Sequence, residues 1–87
     1  MKEAALTHLV LFVAGASPQS SRAIRALASF VSDQPPGRYR WEIVDVHRDP
    51  KRARHAGVLT VPSLLVVTND GARVLAGNIA ARLGKYA

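Results

Sequence analysis

Apolar residues in this chain come in short bursts, and the spacing inside each burst predicts its element. His8 to Ala14 (HLVLFVA) is continuous in apolar character, rich in Val and Leu, and closed by Gly15. A run of that length bounded by glycine predicts a central strand covered on both faces. Ser17 followed by Pro18 predicts a helix start: the serine oxygen accepts from a free first-turn amide, and proline has no amide to leave unpaired. Ile24, Leu27, Ala28 and Val31 then recur at i, i+3, i+4 and i+7, the spacing of one inward helix face. Arg22, Arg25 and Ser29 fall on the outer side. Asp33-Gln34-Pro35-Pro36-Gly37 ends the helix.

Tyr39 to Val46 (YRWEIVDV) is aromatic and β-branched, and predicts a strand with a wet beginning and a buried end. Asp49-Pro50 opens a short basic helix through His55, capped by Asp49 and stopped by Gly57. Pro62 to Thr68 (PSLLVVT) is a third strand, Asn69-Asp70-Gly71 a tight turn, and Ala72 to Ala76 an antiparallel return strand. Asn78 to Leu83 is a terminal helix that Gly84 interrupts. The order βαβαββα predicts an α/β fold, a four-stranded mixed sheet flanked by helices. At 87 residues the chain has room for one small domain, residues 1–87.

Composition changes this picture in two ways. There is no cysteine, which removes disulfides, thiolate nucleophiles and dithiol redox chemistry together. Twelve Lys and Arg against six Asp and Glu give a formal charge of +6, a bias toward acidic partners. The basic residues gather between Arg38 and Arg54, interleaved with Glu42, Asp45 and Asp49. The opening MKEAALTHLVLFVAGA loosely imitates a secretory signal, but Glu3 and His8 interrupt its pattern and cleavage after Ala16 would remove the core strand. The apolar run is also far short of the roughly 20 residues a membrane span needs. A cytoplasmic protein is expected.

With a proline opening the third strand, the element order resembles the thioredoxin-like fold. Thr60-Val61-Pro62-Ser63-Leu64-Leu65 is similar to the segment in which that fold places a cis proline, so a cis Val61-Pro62 bond is implied. SPQS (17 to 20) stands where such proteins carry Cys-x-x-Cys, and a serine hydroxyl has neither the acidity of a thiol nor its reversible bridge. Three stretches resemble the KaiB family in matching order: LFVAGASPQSSRAIRAL (11 to 27), EIVDVHRDP (42 to 50) and GVLTVPSLLV (57 to 66). The ending VLAGNIAARL is also similar to the KaiB-like sensor domain of the clock-output kinase SasA. The resemblance implies a non-catalytic protein-binding module whose partner is a KaiC-like ATPase or a histidine kinase. Clock members of the family carry a longer, charged final segment that rearranges in a fold switch; here NDGARVLAGNIAARLGKYA reads as a hairpin and a helix, which favours the thioredoxin-like arrangement.

Arg22 coincides with the arginine of the family's S-x-R-A motif, and Arg25 projects beside it. Arg40 and Glu42 open the second strand, an edge strand in this fold, at positions the family uses against KaiC. An edge with free amides and carbonyls docks a partner loop, or is protected by those same charges. Ser17, Pro18 and Pro62 carry structural roles. Trp41 and Tyr39 read as core or rim aromatics. Asp45 reads as a buried carboxylate or a loop anchor rather than a catalytic acid, since no second carboxylate or nucleophile is placed beside it. His47, Asp49 and His55 lack any metal-ligand spacing, so neither metal nor cofactor is expected. HRDPKRARH (47 to 55) offers charge for phosphates, but without interleaved aromatics or a reader motif it argues against nucleic acid. The alternative of another class is a thioredoxin-like enzyme without cysteine chemistry, using a small-molecule groove near Pro62.

Overall fold

The computed structural model describes residues 6–85. Its elements follow the expected order: β1 (Thr7–Val13), α1 (Pro18–Ser32), β2 (Tyr39–Asp45), α2 (Pro50–Ala56), β3 (Ser63–Thr68), β4 (Gly71–Ala76) and α3 (Ile79–Gly84). The strands lie side by side as β2-β1-β3-β4. β1 is parallel to β2 and antiparallel to β3, and β4 returns antiparallel to β3. The sheet is therefore mixed, with β2 at one edge.

β1 is central because all of Leu9 to Val13 is buried, and strand alternation sends successive side chains to opposite faces. Leu9, Leu11 and Val13 pack with Leu27 and Phe30 of α1 and with Ile79 and Leu83 of α3. Val10 and Phe12 point the other way, onto Val44 of β2 and Ala53 of α2. Two helices thus cover one face of the sheet and one short helix covers part of the other.

The inward stripe of α1 is Ser20, Ala23, Leu27 and Phe30, with Ile24 and Val31 half-buried beside it. This corrects one expectation: Ala28 is exposed. At about 100° per residue the stripe is centred to one side of Leu27, and Ala28 lies beyond its margin. Phe30 meets Tyr39 edge-on, ring centroids 5.1 Å apart at 69°, which ties the end of α1 to the start of β2.

β2 has a single buried residue, Val44, and Ile43 stays exposed where a buried strand end was expected. Ile43 and Trp41 pair with Leu11 and Leu9 across the sheet, but the helices on that face gather over the centre and leave the edge uncovered. Asp49 caps α2 by accepting from the Arg52 amide, and Gly57 ends it at φ 77°, a conformation that suits glycine. In the hairpin Thr68 pairs with Gly71, so the turn is only Asn69-Asp70 and Gly71 already belongs to β4. Gly71 takes the positive φ of 132°, which spares Asn69 and Asp70 from doing so. Gly84 lies inside the last turn of α3 rather than interrupting it. Asn78 starts that helix by accepting from the Ala81 amide at 3.2 Å.

Candidate functional site

β1 ends against the start of α1, and there the two serines of SPQS satisfy one another. The Ser17 hydroxyl donates to Ser20 Oγ at 2.9 Å, and the Ser20 amide donates to Ser17 Oγ at 3.2 Å. Ser20 is buried and also accepts from the Ala14 amide at 3.2 Å. Each serine oxygen therefore has a structural partner. Among the described residues neither hydroxyl donates to an imidazole or a carboxylate, so neither is activated as a nucleophile. Pro18 occupies the first turn, where its missing amide costs nothing.

Beside this helix start lies an open groove of about 360 Å³, lined by Gln19, Arg22 and Ala23 of α1, by Pro62, and by Asn78 and Ile79 at the start of α3. The Val61-Pro62 peptide bond is cis. Ser63, buried directly after it, donates to the Thr60 carbonyl at 2.6 Å and holds the loop closed. Arg22 is exposed and makes no ion pair among the described residues, so its charge is available to a partner at the groove. Arg25 stands one turn further along the same helix, also exposed.

Arg40 and Glu42 lie on the other side of the sheet. They pair across β1 with His8 and Val10, and Val10 faces α2, whereas α1 covers the opposite face. Arg22 and Arg25 are therefore not brought together with Arg40 and Glu42. Glu42 is also engaged within the chain: Arg52 of α2 donates two parallel hydrogen bonds to its carboxylate, at 2.8 and 2.7 Å, and His8 Nε2 stands 3.5 Å away. These hydrogen bonds first, then the Arg52 and His8 charges, hold the Glu42 carboxyl below its ordinary value against the opposing effect of burial. Asp45 is a loop anchor, with its Oδ1 accepting from the His47 amide at 2.9 Å. Among the described residues no His, Asp and Glu group could hold a metal ion.

Sequence reasoning did not single out Arg52. Its partner is ten residues away across a strand-to-helix connection, and no local spacing rule covers that distance. It also missed Leu59, which is 95% exposed in the loop before Pro62. A lone leucine outside any periodic pattern carries no signal of that kind. Trp41, 41% exposed, sits at the rim with Ile43 on the uncovered edge.

Comparison with known proteins bears on the family and the fold. A family model described as the KaiB domain matches residues 10–85. The circadian clock oscillator protein KaiB of Rippkaea orientalis is 31% identical over 74 residues, covering 85% of this chain and 71% of the relative. KaiB of a Nostoc species is 29% identical over 83 residues, 94% of this chain and 77% of the relative. Among solved structures, the N-terminal domain of Synechococcus elongatus SasA superposes with a TM-score of 0.80 at 17% identity, covering 99% of this chain and 83% of that one. Mitochondrial thioredoxin 3 of Saccharomyces cerevisiae also gives 0.80 at 17% identity, covering 92% and 74%. At these identities the structural likenesses establish a thioredoxin-like fold.

Proposed function

Because this chain belongs to the KaiB family, we propose that it is a non-catalytic docking module whose partner is a KaiC-like ATPase or a histidine kinase, in circadian-type or stress signalling. The observation that carries this reading is the serine pair. On a thioredoxin-like scaffold, the two positions that would hold a reactive dithiol hold hydroxyls engaged with each other and with the backbone. Beside them lies a shaped surface with an unpaired arginine, Arg22, among its lining residues. The alternative, an enzyme working in the groove beside Pro62, is not favoured: the groove has no thiol and no activated hydroxyl among its described residues.

Arg22 and Arg25 on α1 and Arg40 on β2 are the proposed contact residues, with Glu42 entering as one half of its pair with Arg52. Since the two sets lie on opposite faces of the sheet, they form two separable patches. The free edge of β2 adds amides and carbonyls that a partner strand can pair with. No described helix is long and apolar enough to cross a membrane, and we place the protein in the cytoplasm.

A pull-down from native lysate tests this, with wild type compared with Arg22→Glu, Arg40→Glu and the double variant, and bound proteins identified by mass spectrometry. Recovery of a KaiC-like ATPase or a histidine kinase by wild type, weakened in each single variant and lost in the double, is the expected result. Equal recovery by wild type and double variant would overturn the choice of contact residues.

A further inference from the structure

α2 carries a further charged surface, on the side of the sheet opposite Arg22 and Arg25. Ala53 and Ala56 turn inward onto Val10, Phe12 and Val44. At about 100° per residue, that orientation points Lys51, Arg54 and His55 away from the sheet. All three are exposed, and so is Arg48 in the turn that leads into the helix.

Among the described residues none of the neighbouring acids forms an ion pair with the outward cations of this face. Glu42 takes Arg52 in a two-pronged pair, Asp45 accepts from the His47 amide, and Asp49 accepts from the Arg52 amide as the helix cap. Among the described residues Arg48, Lys51 and Arg54 have no ion-pair partner. The one ion pair that α2 makes takes Arg52, which turns toward the sheet, while the outward cations have none among the described residues. Helix propensity and solubility would be served equally by a mixed-sign surface.

We propose that the outward face of α2, with Arg48 beside it, is a docking surface for a carboxylate-rich segment of a protein partner. It rests on the reading of the chain as a protein-binding module and adds a third patch, on the same side of the sheet as Arg40 and opposite Arg22 and Arg25. Charge complementarity selects an acidic occupant. Two features select protein over nucleic acid. Tyr39 and Trp41 alternate onto the opposite face of the sheet, so no aromatic side chain of β2 stands beside α2 to stack a base. And α2, at seven residues, is about 10 Å long, enough for a few carboxylates but short for tracking a nucleic-acid backbone.

The test is fluorescence anisotropy of the purified full chain with a labelled Glu-rich peptide, a Gln-for-Glu peptide of the same length and a single-stranded oligonucleotide of equal charge. Wild type should bind the Glu-rich peptide at low salt, bind the Gln peptide no better than background, and lose affinity as salt is added. Lys51→Glu with Arg54→Glu should weaken peptide binding about tenfold, the scale of two exposed ionic contacts. Arg22→Glu with Arg25→Glu should change it less than about twofold, since those residues lie across the sheet. Glutamate near a helix C-terminus opposes the dipole, so Lys51→Gln with Arg54→Gln is the companion variant; it should keep the wild-type melting curve and still lose affinity. No peptide binding at low salt, an equal loss in the α1 variant, or tighter binding of the oligonucleotide would each overturn the proposal. The probe is a defined peptide, so failure of the lysate pull-down and failure of this assay are separate results.

Discussion

Ser17 and Ser20 hold their Oγ atoms 2.9 Å apart at the mouth of α1, and Ser20 Oγ also receives the amide of Ala14 at the end of β1. One short cluster thus starts the helix, satisfies a strand-end amide and closes the position where a dithiol would work. The cluster is polar and half-buried, which makes its hydrogen bonds costly to leave unmade.

Replacing Ser20 with alanine should destabilise the fold by about 1–3 kcal/mol, because the Ala14 amide is left without its acceptor beside a buried site. Ser17→Ala should cost about 1 kcal/mol, the loss of a helix cap. Urea denaturation of both variants checks the order. The two effects should not add, since the residues bond each other.

The Glu42–Arg52 pair predicts a dependence on pH. Glu42 is held below its ordinary value of 4.5 in the folded chain, chiefly by the Arg52 hydrogen bonds. A carboxylate shifted down in this way adds stability above its unfolded value and loses it as pH falls through the folded one. Glu42→Gln should therefore melt below wild type at neutral pH and converge on it in acid. Both side chains are more than a third exposed, 43% and 38%, so the gap at neutral pH should stay within about 1 kcal/mol. Thermal melts from acid to neutral pH, read by far-ultraviolet circular dichroism, measure it.

Trp41 offers a direct reading of the β2 edge. It is the chain's one tryptophan and is 41% exposed. Its emission should be quenched by acrylamide in the native state and should become protected when a partner covers β2. Trp41→Ala should cost less stability than Leu27→Ala, which empties a fully buried position and should cost about 2–5 kcal/mol.

The order of elements was legible because each strand and helix is bounded by strong punctuation. Ser17-Pro18, Asp49-Pro50, Gly57 and the Asn69-Asp70-Gly71 turn all act over one to four residues, the range in which backbone chemistry decides structure. The thioredoxin-like class followed from that order and from the proline after Val61. The site was legible only in part. Arg22 and Arg25 could be set on an outer helix face from spacing alone, but their separation from Arg40 and Glu42 depends on which way β2 faces beside β1. Arg52 reaching Glu42 depends on how α2 packs back over the sheet, and Ile43 staying exposed depends on where α1 and α3 meet. Those are tertiary facts, and no window of a few residues contains them.

If this site is a redox site without its sulfur, restoring the sulfur should restore part of the chemistry. Ser17→Cys with Ser20→Cys places two thiols at positions whose oxygens are already in contact, at the first turn of a helix of fifteen residues. A helix N-terminus lowers the pKa of a cysteine near it, and the spacing Cys-x-x-Cys permits a bridge. In a glutathione redox buffer the double variant should form a disulfide between the two thiols, each losing a proton and one electron to oxidised glutathione, and thiol titration against the buffer ratio should give its reduction potential. Ser20 is buried and Ser17 half-buried, so in the reduced form the thiol introduced by Ser17→Cys is expected to be the one that is alkylated. A variant that folds, as judged by its melting curve, yet stays as two free thiols under oxidising buffer would show that the scaffold has lost the geometry as well as the sulfur.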